Sequence, residues 1–217
     1  FELGLTKYLK KEKNYISVQG FTTLISRHIG RNNYPIFSDQ TTSSNSTILY
    51  NGEELITLAN NNLGNRYMLG TSLDGNIFFT DKISLKGDIN IINALKNEQY
   101  GPLPSISPVF LNLFINYEKE KWFASLRYQY SGSKNPEEYS LGGEDGLEET
   151  PIISQSQGIY AGTPAWSELS FLTQFSWNEN GKITIGLENI FDVHYRSFAS
   201  GVSAPGRNLR LGLNLKF

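Results

Sequence analysis

Few side chains in this 217-residue chain have the type and spacing for covalent chemistry. There is no cysteine, which excludes a thiol nucleophile, a thiolate metal site and a disulfide framework. Only two histidines are present, so a hydrolytic site must use His28 or His194. Asp192 and His194 lie close in sequence to Ser197 and Ser200, the residue types of a nucleophilic triad. A triad is defined by geometry rather than by closeness along the chain, so a hydrolase stands only as an alternative. Glu137, Glu138, Glu144, Asp145, Glu148 and Glu149 offer hard oxygens of the kind that suit Ca²⁺. Their spacing matches no ligand loop, and the run reads as a solvated charge cluster. No glycine loop of the phosphate-binding kind occurs. A formal charge of −2 gives no electrostatic case for nucleic acid. The sequence therefore predicts no catalytic residues, no metal and no cofactor, and directs attention to binding.

The candidates for binding fall into two groups. Lys86, Asp88, Arg127, Glu188 and Arg210 alternate with apolar neighbours, as charges on the wet face of a two-faced sheet would. Tyr139, Tyr160, Arg196 and Arg207 lie in long irregular segments, where binding residues tend to sit. With Arg127 they are the candidate substrate contacts.

The elements that position these residues are strands. From Leu209 to Phe217 every second residue is apolar, while Arg210, Gly212, Asn214 and Lys216 fill the gaps. A period of two puts one set on each face. The same alternation runs through Phe1, Leu3 and Leu5, and through Tyr67, Leu69, Leu73, Ile77 and Phe79. It recurs in Ile83, Leu85, Ile89 and Ile91, in Val109 to Tyr117, in Trp122 to Tyr130, in Leu169 to Trp177, and in Ile183 to Phe191. The run Tyr15–Ile29 is less regular, because Phe21 and Ile25 fall out of phase with Ile16, Val18 and Leu24. Residues 30–65 are polar, with a small hairpin expected around Tyr50-Asn51-Gly52-Glu53. No uninterrupted apolar run fits a membrane helix. The best one, Tyr100–Tyr117, contains Pro102, Pro104 and Pro108.

Two regularities decide the fold class. Short connections (12–14, 80–82, 118–121, 178–181) alternate with long ones (30–65, 96–107, 132–164, 192–205), which places every tight turn at one end of an up-and-down sheet. Aromatics also crowd the strand ends beside those turns: Tyr8, Tyr15, Phe78, Phe79, Tyr117, Trp122, Trp177 and Phe217. A belt of this kind marks a membrane–water interface. Most segments reach the ~9–11 residues that a tilted strand needs to cross a bilayer. The prediction is all-β: an antiparallel transmembrane β-barrel rather than a soluble β-sandwich binding module. About nine strands, with the first and last running the same way, cannot close on each other in an antiparallel barrel. The expectation is therefore a C-terminal portion of a longer protein, its upstream strands absent.

The stretch from Gly186 through Glu188-Asn189-Ile190-Phe191-Asp192 to Arg196 resembles the penultimate-strand signature of TonB-dependent outer-membrane transporters. So do Ser200-Gly201, Ala204-Pro205-Gly206-Arg207-Asn208 and the terminal Phe217, together with Gly101–Pro108 followed by a strand and Lys121-Trp122. The resemblance is specific from about residue 100 onward. It implies residues 1–217 as the last nine strands of a 22-stranded barrel in the Gram-negative outer membrane, with an N-terminal plug domain absent here. It implies energised uptake of a scarce nutrient, most often a ferric chelate or siderophore. The implied partners are outer-membrane lipid, the TonB complex acting through the plug, and in some cases a surface lipoprotein. Leu213, Leu215 and Phe217 would form the signal that the barrel assembly machinery reads.

Overall fold

The computed structural model describes residues 1–9, 13–33 and 47–216. Nine strands form one antiparallel sheet: β1 (Glu2–Tyr8), β2 (Tyr15–Ile25), β3 (Arg66–Phe78), β4 (Ile83–Ala94), β5 (Phe110–Lys119), β6 (Trp122–Ser131), β7 (Trp166–Asn178), β8 (Gly181–Glu188) and β9 (Asn208–Leu215). Each strand pairs with its sequence neighbour, so the sheet is a nine-stranded meander, and β1 and β9 are its outer strands. The links alternate in length: 9–14, 79–82, 120–121 and 179–180 at one end, 26–65, 95–109, 132–165 and 189–207 at the other. Among the described residues the long links carry only small two-stranded pieces and short 3₁₀ turns.

Register turns the sequence alternation into two faces. One run of directly opposed residues crosses the sheet as Leu5, Val18, Leu73, Ile89, Leu111, Tyr130 and Ser167. On the same face Ile115 opposes Leu126, Phe171 opposes Leu187, and Ile185 opposes Leu211. At the paired positions this face carries only two charges, Lys7 and Lys119, both at the tight-turn end, where long side chains reach out to water. Glu2, Arg66, Asp74, Lys86, Asp88, Arg127, Glu168, Lys182, Glu188 and Arg210 all occupy the other face. The apolar face is uncovered: Leu5 is 74%, Ile115 52% and Leu211 70% exposed. The described hydrophobic residues that are buried are Leu63, Leu103, Tyr139 and Trp166, and none of them is on that face.

Three local expectations change. Phe21 and Ile25 do not break β2. They point to the polar face, and Phe21 lays its ring over Gly70, where any Cβ would collide with it. The aromatic belt divides between the faces. Tyr117, Trp122 and Phe175 are on the apolar face, Trp122 and Phe175 with ring centroids 4.6 Å apart, whereas Tyr8, Tyr15 and Phe78 are on the polar one. Closeness to a turn sets a side chain's height, but strand parity sets its face. Finally β8 stops at Glu188, short of Phe191, because Asn189 takes a left-handed conformation (φ 48°) that a strand cannot continue through. The hairpin in the polar segment is present as Thr47–Tyr50 and Glu53–Ile56, and Asn51 and Gly52 supply the two positive φ values (50° and 87°) of a type I′ turn. Glu12, in the first predicted turn, and Phe217 lie outside the described residues.

Candidate functional site

The wall and the long loops meet at Glu168, a β7 residue whose parity turns it to the polar face. Its carboxylate is almost wholly buried and has three donors: the Ser170 hydroxyl, the Asn189 backbone N–H at 2.8 Å, and an Arg127 Nη2 at 3.3 Å. A buried carboxylate is tolerable only when it is paired and hydrogen-bonded in this way. Asn189 extends the knot: its side-chain amide donates to the carbonyls of Val193 and Pro205 and accepts from the Val193 N–H. Asp192, also left-handed (φ 56°), accepts the Arg207 N–H at 2.7 Å. These two residues fold the 189–207 loop back over the end of β8.

Toward the tight-turn end, Lys86, Arg127 and Arg210 border a cavity of about 360 Å³ with Phe114, Phe123 and Leu172. Arg210 pairs with Glu188 at 3.4 Å in the open, an arrangement that contributes little energy. Asp88 lies one register step nearer the loops, opposite Asp74 and Asn112. It accepts from Asn90 and Asn112, and Asn112 in turn accepts from Gln129. All five charges predicted for the wet side, Lys86, Asp88, Arg127, Glu188 and Arg210, thus share one face of the sheet.

At the loop end the segments 132–165 and 189–207 enclose a second cavity of about 440 Å³. Its wall includes Trp166 and Tyr195, stacked at 4.0 Å and 24°, with Arg196, His194, Asp145 and Glu149 around them. Burial, then the Glu168 carboxylate, raises the Tyr195 phenol above its ordinary pKa of 10.0. Asp145 in this wall is paired with Lys134, which is buried with Asp145 at 3.1 Å, the Ile106 carbonyl at 2.7 Å, and the rings of Phe198 and Tyr139 at 4.1 and 5.0 Å.

The candidate substrate contacts are spread over this framework. Arg196 lines the loop cavity and donates to the Glu149 carbonyl at 2.6 Å. Arg127 is divided between Glu168 and the lower cavity. Tyr139 is buried, its hydroxyl 2.6 Å from that of Thr163, so it faces the loop interior. Tyr160 pairs opposite Ile152 in a short hairpin. The Arg207 residue is exposed, and its backbone N–H serves Asp192. Leu213 and Leu215 are on the apolar face of β9.

The sequence-level triad does not assemble. His194 Nε2 is 3.1 Å from the Ser203 hydroxyl, Ser200 donates to the Val202 carbonyl, and Asp192 is committed to Arg207. The acidic run disperses as well: Asp145 is buried on Lys134, Glu138 accepts from the Asn135 N–H, and Glu144 accepts from Ser140. No cluster of three or more metal-ligating side chains forms among the described residues. Sequence reasoning missed Glu168, Lys134 and the Trp166–Tyr195 stack. For Glu168 the signal was present, since its even position in a strand with odd apolar residues assigns it to the polar face.

No family model matches the sequence, and no curated protein matches it. Solved structures match it along its whole length. The copper transporter OprC aligns at 15% identity and a TM-score of 0.69 over 100% of this chain and 31% of its own. A ferric enterobactin receptor (PfeA) mutant from Pseudomonas aeruginosa aligns at 15% and 0.71 over 100% and 30%. The siderophore receptor PirA from Acinetobacter baumannii aligns at 16% and 0.69 over 100% and 31%. The chain thus spans about three-tenths of the length of each of these structures. They are a transporter and two receptors.

Proposed function

We propose, from a fold that is the barrel fold of TonB-dependent receptors, that this chain is the C-terminal wall of an outer-membrane receptor for a scarce nutrient. The cargo is a chelated transition metal, most often a ferric siderophore. Residues 1–217 supply nine of 22 strands, and an N-terminal plug with the remaining strands precedes them. Energy for uptake comes from the TonB complex acting through that plug. The Leu213–Phe217 segment serves as the signal for the barrel assembly machinery.

The observation that carries this reading is the uncovered apolar face. Nine strands expose a continuous field of Leu, Ile, Val and aromatic side chains, far beyond the few hundred Å² that a soluble monomer leaves open. Hydrocarbon is the solvent that such a surface fits, and only a closed sheet meets the backbone's hydrogen-bonding needs there. In a soluble sandwich, a second sheet would cover the Leu209–Leu215 row. Instead Leu209, Leu211 and Leu213 are 63–70% exposed. The neighbouring structures' copper and siderophore cargoes set the ligand class proposed here.

The test is deletion of the gene encoding this chain, followed by growth and radiolabelled uptake with single ferric siderophores or copper as the limiting supply. Loss of uptake for one of them is expected. Undiminished uptake across ferric siderophores and copper refutes the reading.

A further inference from the structure

We propose that Lys134 is a keystone that joins three of the four long loops into one body, so that they open and close together. The ammonium group collects partners from all three. The 95–109 loop gives the Ile106 carbonyl at 2.7 Å, the 132–165 loop gives Asp145 at 3.1 Å and the face of Tyr139, and the 189–207 loop gives the face of Phe198 at 4.1 Å. Asp145 returns to the first loop by accepting the Ser105 N–H at 2.7 Å, in a segment where Ser105 itself holds a positive φ of 62°. Tyr139 and Phe198 also meet edge-on, with centroids 6.1 Å apart.

Lys134 and Asp145 are 4% and 2% exposed. A cation and a carboxylate out of water are held only while all of their partners stay in place, because a vacated position leaves a charge under-solvated. Displacing any one loop therefore weakens the hold on the other two. Arg196 and Phe198 also touch the 132–165 loop directly, but it is the shared ion pair that links the 95–109 loop to the 189–207 loop. Two members of this cluster, Asp145 and Thr163 (the hydrogen-bond partner of Tyr139), also line the 440 Å³ cavity beside Arg196 and Tyr195. On the proposed function, a molecule entering that cavity thus meets a wall that is rigidly coupled to the 95–109 loop, which does not line it.

The test is amide hydrogen exchange by mass spectrometry on the full-length protein in detergent micelles, comparing wild type with Lys134→Met and Lys134→Arg. Lys134→Met keeps the length of the stem and removes the charge. Expected is exchange at least tenfold faster in peptides covering 103–109, 140–150 and 195–203 together, with β5, β6 and the 47–62 hairpins unchanged. The arginine variant should restore part of the protection. Loosening confined to 132–165, unchanged loops, or faster exchange in the walls as well would each overturn the proposal. If Lys134→Met does not assemble, Phe198→Leu is read in the same way. Faster exchange in all three loops supports the keystone, and loosening of 189–207 alone refutes it. Exchange is measured without any cargo, so a failed uptake assay leaves this result standing.

Discussion

Two adjacent residues of β9 isolate the solvent that each sheet face meets. Leu211 opposes Ile185 on the apolar face, and Gly212 opposes Thr184 on the polar one, at nearly the same depth. Leu211 is 70% exposed, so replacing it removes few protein contacts and leaves little cavity to charge against the variant. The cost of Leu211→Arg then arises almost wholly from placing a guanidinium in hydrocarbon, about 2–4 kcal/mol near the bilayer midplane. That corresponds to a roughly 30- to 1,000-fold shift of the folding equilibrium at ~1.4 kcal/mol per tenfold. A Cβ at Gly212 would approach Thr184 no closer than 3.6 Å, an ordinary contact. Its arginine would extend on the side that already carries Arg210 and Lys182, so Gly212→Arg should cost under about 1 kcal/mol, the scale of like-charge neighbours across a sheet. The assay is reversible guanidinium unfolding of the full-length protein in lipid vesicles, followed by tryptophan fluorescence. Leu113→Arg against Asn214→Arg repeats the contrast at other positions. Equal destabilisation on the two faces would refute the face assignment, and with it the membrane reading.

Other perturbations test the knot between wall and loops. Asn189→Ala deletes three side-chain hydrogen bonds and puts a Cβ residue without a local partner at φ 48°. A loss of about 4–5 kcal/mol is expected at ~1 kcal/mol per bond plus ~1–2 for the left-handed conformation. Asn189→Gly should recover about 1 kcal/mol of this, and identical unfolding midpoints for the two variants would contradict the account. Glu168→Ala takes the acceptor from two buried donors, the Ser170 hydroxyl and the Asn189 N–H, and should cost about 2–3 kcal/mol; the Arg127 side chain is 37% open to water, so adding Arg127→Met should change this by under about 1 kcal/mol in a double-mutant cycle in the same assay. Burial holds the Tyr139 phenol above its ordinary 10.0, although its Thr163 hydrogen bond pulls the other way. A group whose folded pKa is raised contributes stability that is intact below pH 10 and is lost as pH rises through the folded value. Loop protection should therefore decline above pH 10 in wild type and lose that limb in Tyr139→Phe. An unaltered decline in the variant would exclude Tyr139 as its source.

The sheet was legible because period two survives in every strand except β2: the Leu209–Leu215 row and the Ile83–Ile91 row are readable without coordinates. The side chains misread there failed for one reason. Phe78, Tyr8 and Tyr15 are near turns, and height was legible, but their face depends on counting parity from the strand's own apolar set. Phe21 looked like an irregularity because the space that admits it comes from Gly70, 49 positions away. The loops gave no such signal. Nothing periodic links Lys134 to Ile106 or to Phe198, and Asp145 looked like one more member of an acidic run although it is the buried partner of a lysine.

This difference separates what the sheet encodes from what the loops encode. The residues that carry the family resemblance near the C-terminus, Glu188-Asn189-Ile190-Phe191-Asp192 with Pro205-Gly206-Arg207, are the ones that pin the last loop to the wall: Asn189 holds the Val193 and Pro205 carbonyls, and Asp192 holds the Arg207 amide. The Asn189 and Asp192 side chains are therefore already engaged by backbone. On the proposed function, selectivity comes from groups left over once the knot is tied. Around the 440 Å³ cavity those are the His194 ring, the rest of the Arg196 guanidinium and the Tyr195 ring stacked on Trp166, all three presented by the irregular backbone of 189–207. Exchanging 193–203 between two such receptors should therefore transfer ligand preference while preserving assembly, provided Asn189, Asp192 and Pro205 stay. A chimera that assembles normally but keeps its original preference would move the site of discrimination away from this loop.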